Sequence, residues 1–261
     1  MMFRIITLVL VLLSAAPSVQ AAEEVRVIDS RPGVTEAILL IHPATAPVAS
    51  VVLFTGGGGA IGIKPGWPVG KRGGNFLVRT ADLFAQAGFL VAIIDTPSDS
   101  ASALWNLRGT ARHAQDVAAA IAMLRRDAMV PVWLIGTSMG SLSAANAAAR
   151  LREEGPDGVV LTSSVTVTSR NSTESVLTLD LEEIRVPLLV VNHRDDACKY
   201  APPGDAERIL REARNTPRRE AMVFGGGKPN ESSDCEPFAP HGYFGIEQEV
   251  VTGIVRWILA P

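Results

Sequence analysis

Short apolar runs rich in β-branched residues alternate with longer stretches of helical periodicity along most of the chain. Each short run suits a buried strand, and each longer stretch suits a helix with one apolar face. The predicted strands lie at 25–28, 36–41, 50–54, 89–94, 132–135, 158–161, 187–191 and 220–224. The predicted helices lie at 76–87, 110–126, 142–151, 205–213 and 245–259. This alternation predicts an α/β fold with a mostly parallel sheet of about eight strands flanked by helices.

The first 21 residues follow a different pattern. Arg4 precedes a run at 5–13 that is apolar except for Thr7, and Val19 and Ala21 then supply two small residues two positions apart. The apolar run is shorter than the roughly 20 residues that cross a bilayer as a helix. The pattern predicts a signal peptide over 1–21, cleaved after Ala21, and therefore a periplasmic or secreted protein. The alternative interpretation is an uncleaved membrane anchor.

Composition limits the remaining 22–261 segment to a few classes of protein. With 47% hydrophobic residues among 261, the chain can bury a large core as one globular domain. The formal net charge of −3 disfavours nucleic acid and anionic membrane surfaces as partners, since both attract basic patches. We expect a small-molecule ligand and no stable membrane anchor.

The strongest chemical signal is Gly136-Thr137-Ser138-Met139-Gly140. It follows the predicted strand at 132–135 and precedes an Ala-rich predicted helix. A Gly-x-Ser-x-Gly segment between a strand and a helix forms a tight turn that exposes a nucleophilic serine above the sheet. The pattern therefore predicts Ser138 as a catalytic nucleophile. The alternative is a glycine-rich turn without chemistry.

At these residues the sequence resembles the α/β-hydrolase superfamily. The stretches 74–79, 136–148 and 241–247 are similar to small exported bacterial serine hydrolases of the esterase and dienelactone-hydrolase type. The resemblance covers nearly all of 22–261. It implies an α/β-hydrolase fold without a large lid domain, a triad in the chain order serine, acid, histidine, and no cofactor.

The implied chain order selects the base and the acid. The chain has four histidines, at positions 42, 113, 193 and 241. Only His193 and His241 follow Ser138, and His193 leaves no room for an acid-bearing strand before it. His241 is therefore the expected general base. The segment 192–197 resembles the family's acid loop, which implies Asp196 as the catalytic acid, with the adjacent Asp195 as the alternative.

The expected site also includes an oxyanion hole. The resemblance implies an oxyanion hole made by the Met139 N–H and by one N–H from the loop Gly56 to Gly59, either Gly57 or Gly58. A phosphate-binding loop is the competing interpretation of the four glycines, but no Lys-Ser or Lys-Thr follows at the required spacing.

The two cysteines, Cys198 and Cys235, lie close in sequence to Asp196 and His241. An oxidising compartment would allow a disulfide between the predicted acid and histidine loops. The alternative is two unpaired thiols.

The remaining candidates are interpreted as structural. Asn75 is expected to cap a helix, and Trp67 and Trp105 are expected in loops near the acyl pocket. His113 and Asp116, three residues apart on a helix, are expected to contact each other. No metal-ligand spacing occurs in the sequence.

Together these features predict a cofactor-free exported serine hydrolase acting on ester-like bonds. A peptidase or thioesterase with the same triad, or a hydrolase-fold binding protein without turnover, are the alternatives.

Overall fold

A single eight-stranded sheet organises the fold. The computed structural model describes residues 22–64, 74–170 and 172–260. The strands are β1 (Glu23–Arg31), β2 (Val34–Ile41), β3 (Ala49–Phe54), β4 (Phe89–Ile94), β5 (Val132–Thr137), β6 (Gly158–Thr162), β7 (Leu188–His193) and β8 (Arg219–Phe224). Their order in the sheet is β1-β2-β4-β3-β5-β6-β7-β8, and only the pairs β1–β2 and β2–β4 are antiparallel. The predicted mostly parallel sheet is therefore confirmed.

Helices cover both faces of this sheet. They are α1 (Phe76–Arg79), α2 (Ala81–Gln86), α3 (Ala111–Ala128), α4 (Gly140–Arg150), α5 (Ala206–Glu212) and α6 (Glu247–Leu259). Successive residues of a strand point to opposite faces. On β3, Val52 and Phe54 accordingly pack with α3 and α4, while Val51 and Leu53 pack with α2 and α6. The sheet therefore separates two hydrophobic cores.

One element differs from the sequence prediction. The single helix expected over 76–87 is divided into α1 and α2 at Thr80. The Thr80 hydroxyl donates to the Phe76 carbonyl at 2.8 Å, and the Leu83 N–H bonds Thr80 three residues back rather than four. A buried threonine that bonds its own preceding turn weakens the regular helical ladder. The predicted signal peptide over 1–21 and Trp67 lie outside the described residues.

Strand order places several loops together at one edge of the sheet. Phe54 at the end of β3 pairs with Gly136 of β5, so the glycine loop that follows β3 lies beside the Ser138 turn. The loops after β7 and β8 leave the same carboxyl edge, where ligands bind in open α/β sheets. None of the helices in the described ranges is long and apolar enough to cross a membrane.

Candidate active site

Ser138 occupies a tight turn between β5 and α4. Its φ is 52°, in the left-handed region, and its N–H donates to the Thr162 carbonyl at 3.0 Å. A Cβ on Gly136 would lie 2.2 Å from the Gly140 carbonyl oxygen, and a Cβ on Gly140 would lie 2.2 Å from the Phe54 oxygen. Neither position can carry a side chain without moving the backbone. The Gly-x-Ser-x-Gly spacing is therefore a steric requirement of this turn.

A continuous chain of hydrogen bonds connects Ser138, His241 and Asp196. His241 Nε2 lies 3.0 Å from Ser138 Oγ, and His241 Nδ1 lies 2.9 Å from Asp196 Oδ2. The imidazole and the carboxylate are both buried. The structure thus brings together the three side chains that the sequence singled out, although they are separated by up to 103 positions.

The other three histidines make different contacts. His193 Nε2 bonds the Gly226 carbonyl at 3.0 Å, and the half-exposed His42 lies 3.5 Å from Glu24. His113 Nε2 bonds Ser143 Oγ at 2.9 Å. None of these three bonds Ser138 within the described part of the chain.

The two adjacent aspartates have opposite surroundings. The Asp195 side chain is 66% exposed, whereas that of Asp196 is fully covered. Besides its bond with His241, Asp196 uses Oδ1 to accept the Cys198 N–H at 2.9 Å. The Asp195 backbone N–H instead donates to His193 Nδ1 at 3.0 Å. Asp196, and not Asp195, is therefore the carboxylate in contact with His241.

The disulfide between Cys198 and Cys235 is present, as predicted, and it closes a segment with a sequence separation of 37. Cys198 follows β7 and Cys235 lies between β8 and His241. The bond therefore joins the loop that carries Asp196 to the loop that carries His241. Both cysteines also line the cavity above Ser138.

Tyr243 supports the histidine loop from below, and sequence reasoning did not assign it a role. Its hydroxyl donates to the Val191 carbonyl at 2.8 Å and accepts the Ser163 N–H at 3.1 Å. Ser163 Oγ in turn donates to the His241 carbonyl at 2.8 Å. Burial is the main cause that raises the pKa of Tyr243 above its ordinary value, so the phenol stays protonated and keeps its donor. In the sequence, the position of Tyr243 two residues after His241 is the signal that could have indicated this supporting role.

Arg79 holds the same loop from the side of α1. Its guanidinium donates to the carbonyls of Gly74, Pro237 and Gly242, and it pairs with Glu247 at 2.9 Å. Asn75, just before α1, accepts the Leu77 N–H at 3.1 Å through its side chain, which confirms the predicted helix cap.

The loop after β3 supplies the second wall of the site. Gly56 and Gly57 line the cavity with Ser138 and Met139, whereas Gly58 does not; a Cβ on Gly58 would contact Ala103 and Trp105. The N–H groups of Gly57 and Met139 have no hydrogen-bond acceptor among the described residues. Both donors are free to bind an anionic oxygen of a ligand. This arrangement favours Gly57 over Gly58 as the second donor.

The cavity has a volume of about 740 Å³. Its apolar wall includes Trp105, Val165 and Tyr200, and the charged residues that line it in the described part of the chain are Arg170, Lys199 and Glu236. The β6–β7 connection, as far as it is described, contains only short 3-10 turns at Val176–Thr178 and Leu181–Glu183, so this connection forms no lid domain over the opening. In the described ranges no group of three or more His, Cys, Asp or Glu side chains could hold a metal ion.

The predicted contact between His113 and Asp116 is wrong. Asp116 accepts from Arg31 at 2.7 Å and from Ser30 at 2.6 Å, both on β1. His113 faces Ser143 on α4 instead. Each side chain bonds a residue on another element instead. The spacing of residues within α3 carries no information about such contacts.

Comparisons with known proteins agree with this fold. A family model described as "Serine aminopeptidase, S33" matches residues 73–182. A carboxyl esterase from Bacillus coagulans superposes with a TM-score of 0.62 at 14% identity, covering 91% of this chain and 98% of the other. A dienelactone hydrolase from Anabaena variabilis superposes with a TM-score of 0.61 at 17% identity, covering 92% of this chain and 98% of the other. A serine hydrolase without a lid from Xanthomonas campestris superposes with a TM-score of 0.58 at 16% identity, covering 93% of this chain and 97% of the other. A search of curated proteins found no match.

The sheet order, the strand-to-helix serine turn and these superpositions define the α/β-hydrolase fold. Over residues 73–182 the chain is similar to the serine aminopeptidase S33 family, and over nearly its whole described length it has the fold of the α/β-hydrolases.

Proposed function

We propose that the protein is a serine hydrolase that cleaves ester-like acyl bonds through a Ser138–His241–Asp196 triad. The observation that carries this proposal is the buried hydrogen-bonded chain of these three side chains at the floor of an open cavity. A serine hydroxyl needs an adjacent base to become nucleophilic at neutral pH, and the imidazole is placed to be that base.

The geometry supports a two-stage acyl transfer. Ser138 Oγ attacks the substrate carbonyl and gives its proton to His241 Nε2, while Asp196 stabilises the resulting imidazolium. The tetrahedral oxyanion accepts hydrogen bonds from the N–H groups of Met139 and Gly57. The intermediate collapses, and His241 returns the proton to the departing alkoxide, which leaves as an alcohol. Water, deprotonated by His241, then attacks the acyl-enzyme and releases the acid and Ser138.

The open cavity favours small or accessible acyl substrates. We also propose that residues 1–21 direct export and are removed, because their sequence has the pattern of a signal peptide and because disulfides persist in oxidising compartments.

A fluorophosphonate probe followed by mass spectrometry tests the proposed nucleophile. The wild type is expected to gain one adduct on Ser138, and Ser138→Ala to gain none. Hydrolysis of p-nitrophenyl esters of graded acyl length then measures turnover and chain preference. Folded wild type that neither labels nor turns over any ester would instead support a binding protein.

A peptidase is the second candidate, because the family model matching residues 73–182 is described as a serine aminopeptidase. An aminopeptidase must accommodate the free ammonium group of its substrate. Among the described lining residues, the charged ones are two cations, Arg170 and Lys199, and one anion, Glu236, a balance that disfavours an ammonium. Aminoacyl p-nitroanilides compared with matched p-nitrophenyl esters would separate the two activities, and faster anilide cleavage would favour the peptidase.

A further inference from the structure

A buried arginine lies behind the glycine loop of the site. Arg108 is only 1% exposed, although it follows β4 in a connecting segment rather than a regular element. Its Nη2 donates to the carbonyls of Thr55 and Gly57 at 3.0 and 3.2 Å, and its Nη1 donates to Ser143 Oγ at 2.7 Å. It is not among the described residues that line the cavity. Arg108 therefore touches the loop and α4, but not the space for a substrate.

We propose that Arg108 is a positioning residue that holds the Gly57 N–H in the orientation required to bind the oxyanion. This inference rests on the proposed acyl-transfer function and assigns a role to a side chain outside the triad.

The two carbonyls bound by Arg108 flank one particular peptide bond. The Thr55 and Gly57 carbonyls lie on either side of the Gly56–Gly57 peptide, which carries the Gly57 N–H. Glycine tolerates many backbone conformations, so a four-glycine loop does not by itself keep one peptide plane in place. Fixing the carbonyl before and the carbonyl after this peptide restrains its rotation. The N–H of Gly57, a residue that lines the cavity, is thereby restrained.

The loop is shaped around the guanidinium. Gly57 and Gly59 have φ values of 57° and 92°, and a Cβ on Gly59 would lie 2.7 Å from Arg108 Nη2. The Thr55 hydroxyl closes the loop by donating to the Gly59 carbonyl at 3.1 Å. The rigid fork of a guanidinium can serve several acceptors in fixed directions, which a lysine ammonium on a flexible stem cannot.

The charge of Arg108 persists at neutral pH. Burial lowers the pKa of Arg108 to about 10, partly offset by the nearby Glu174 carboxylate. His113, which shares Ser143 with Arg108, is held neutral because burial, with the adjacent cations Arg108 and Arg31, lowers its pKa to about 3. A neutral imidazole adds no second positive charge behind the loop.

Arg108→Lys tests the proposal, with Arg218→Lys as the matched control. Arg218, the residue before β8, also donates to two backbone carbonyls, those of Trp257 and Ala260 at the end of α6, and none of the three lines the cavity. Each protein is titrated to completion with fluorophosphonate, so that kcat is expressed per reactive Ser138. Dissociation constants are then measured for a trifluoromethyl ketone, which forms an oxyanion adduct with serine.

For Arg108→Lys we expect kcat to fall about 10- to 100-fold, with KM changed less than about threefold, because mispositioning an oxyanion donor weakens the transition state more than substrate binding. Ketone affinity is expected to fall by the same factor as kcat. Arg218→Lys is expected to lose thermal stability but keep kcat. A purely structural role for Arg108 would lower stability while leaving kcat per site and ketone affinity at wild-type values, and that result would overturn the proposal.

Gly59→Ala keeps the proposal testable if Arg108→Lys fails to fold. The new methyl group pushes Nη2 away while the arginine remains, so kcat and ketone affinity should again fall together. Gly62→Ala is its control, because Gly62 also has a positive φ, of 72°, but no atom within 4 Å of its Cβ position. Equal kcat in both glycine variants would contradict the proposal. If wild type itself neither labels nor turns over, the proposed function fails along with this inference; active wild type with unaffected Arg108→Lys overturns the inference alone.

Discussion

Ser138, the proposed nucleophile, has an unfavourable backbone conformation. Its φ of 52° places a residue that carries a Cβ in the left-handed region, which costs roughly 1–2 kcal/mol for residues other than glycine. The steric requirements at Gly136 and Gly140 leave the turn no freedom to relax this torsion. The serine is thus retained at a position where glycine would fit the backbone better.

We expect Ser138→Gly to be more stable than Ser138→Ala by about 1 kcal/mol, since alanine keeps the Cβ strain that glycine removes. Both variants lack the hydroxyl, so the comparison isolates the backbone. Urea unfolding of the two inactive proteins would measure the difference. Equal unfolding free energies would mean that the turn is not strained.

Substitution of each aspartate in turn tests which of the two carboxylates is the catalytic acid. Asp196→Asn is expected to lower kcat by a factor on the order of 10⁴, because an amide cannot hold the imidazole in the required tautomer or stabilise the imidazolium. Asp195→Asn, at a side chain that is 66% exposed, should change kcat little. Steady-state kinetics on one p-nitrophenyl ester compares them. A larger loss in Asp195→Asn would reverse the assignment.

The buried Glu36 on β2 should make the stability of the fold depend on pH. Its side chain is buried, and both carboxylate oxygens lack hydrogen-bond partners among the described residues. Burial, followed by the charges of Asp116 and Asp95, raises the pKa of Glu36 well above its ordinary value. The unfolded chain therefore releases this proton first as pH rises, and stability falls from the ordinary glutamate pKa up to the raised one.

Glu36→Gln should remove this contribution. Relative to the variant, wild type is expected to lose a few degrees of Tm as pH rises from about 4.5 to 8. The change in the difference between the two Tm values with pH is the readout, so any constant packing cost of glutamine cancels. A difference that does not vary with pH would show that Glu36 does not titrate as described.

At the scale of elements, the site depends on two loops that follow the neighbouring strands β7 and β8. The loop after β7 carries Asp196 and the loop after β8 carries His241, and the disulfide is their covalent link. Cys198 also donates its N–H to Asp196, so the same residue anchors the acid.

Replacing both cysteines with alanine is expected to lower the unfolding free energy by about 4 kcal/mol, following the chain-entropy relation for a loop with the observed separation of 37. A smaller loss of kcat should accompany it, because Asp196 would be less restrained. Denaturant unfolding and ester kinetics, with and without reductant, measure both effects. Wild type should respond to reductant and the variant should not; two free thiols in the purified wild type would contradict the bond.

Sequence patterns predicted the strands more completely than the tertiary contacts. The run at 89–94 matches β4, because a continuous apolar run flanked by polar residues is a local signal. The break at Thr80, the partners of His113 and the roles of Tyr243 and Arg108 depend on atoms brought from distant positions. The triad could be predicted because chain order and residue type constrain it; the choice of Asp196 over Asp195 required their opposite burial.

At the scale of the whole molecule, the first strand lies directly after the expected export signal. Ala22 already accepts the His42 N–H at 2.9 Å, and β1 begins at Glu23. We expect the intact mass of protein recovered from the periplasm or medium to correspond to residues 22–261. A chain expressed from residue 22 should match its Tm and kcat. Recovery of the full-length chain in a membrane fraction would favour an uncleaved anchor.

The chain order of the triad has a consequence for biosynthesis. Ser138 and Asp196 both precede His241, by 103 and 45 positions. During synthesis from the amino terminus, the proposed nucleophile and acid are made before the base that would activate Ser138. No nascent or truncated chain that stops short of His241 contains the complete hydrogen-bonded relay. The proposed esterase activity should therefore appear only after His241 has been made.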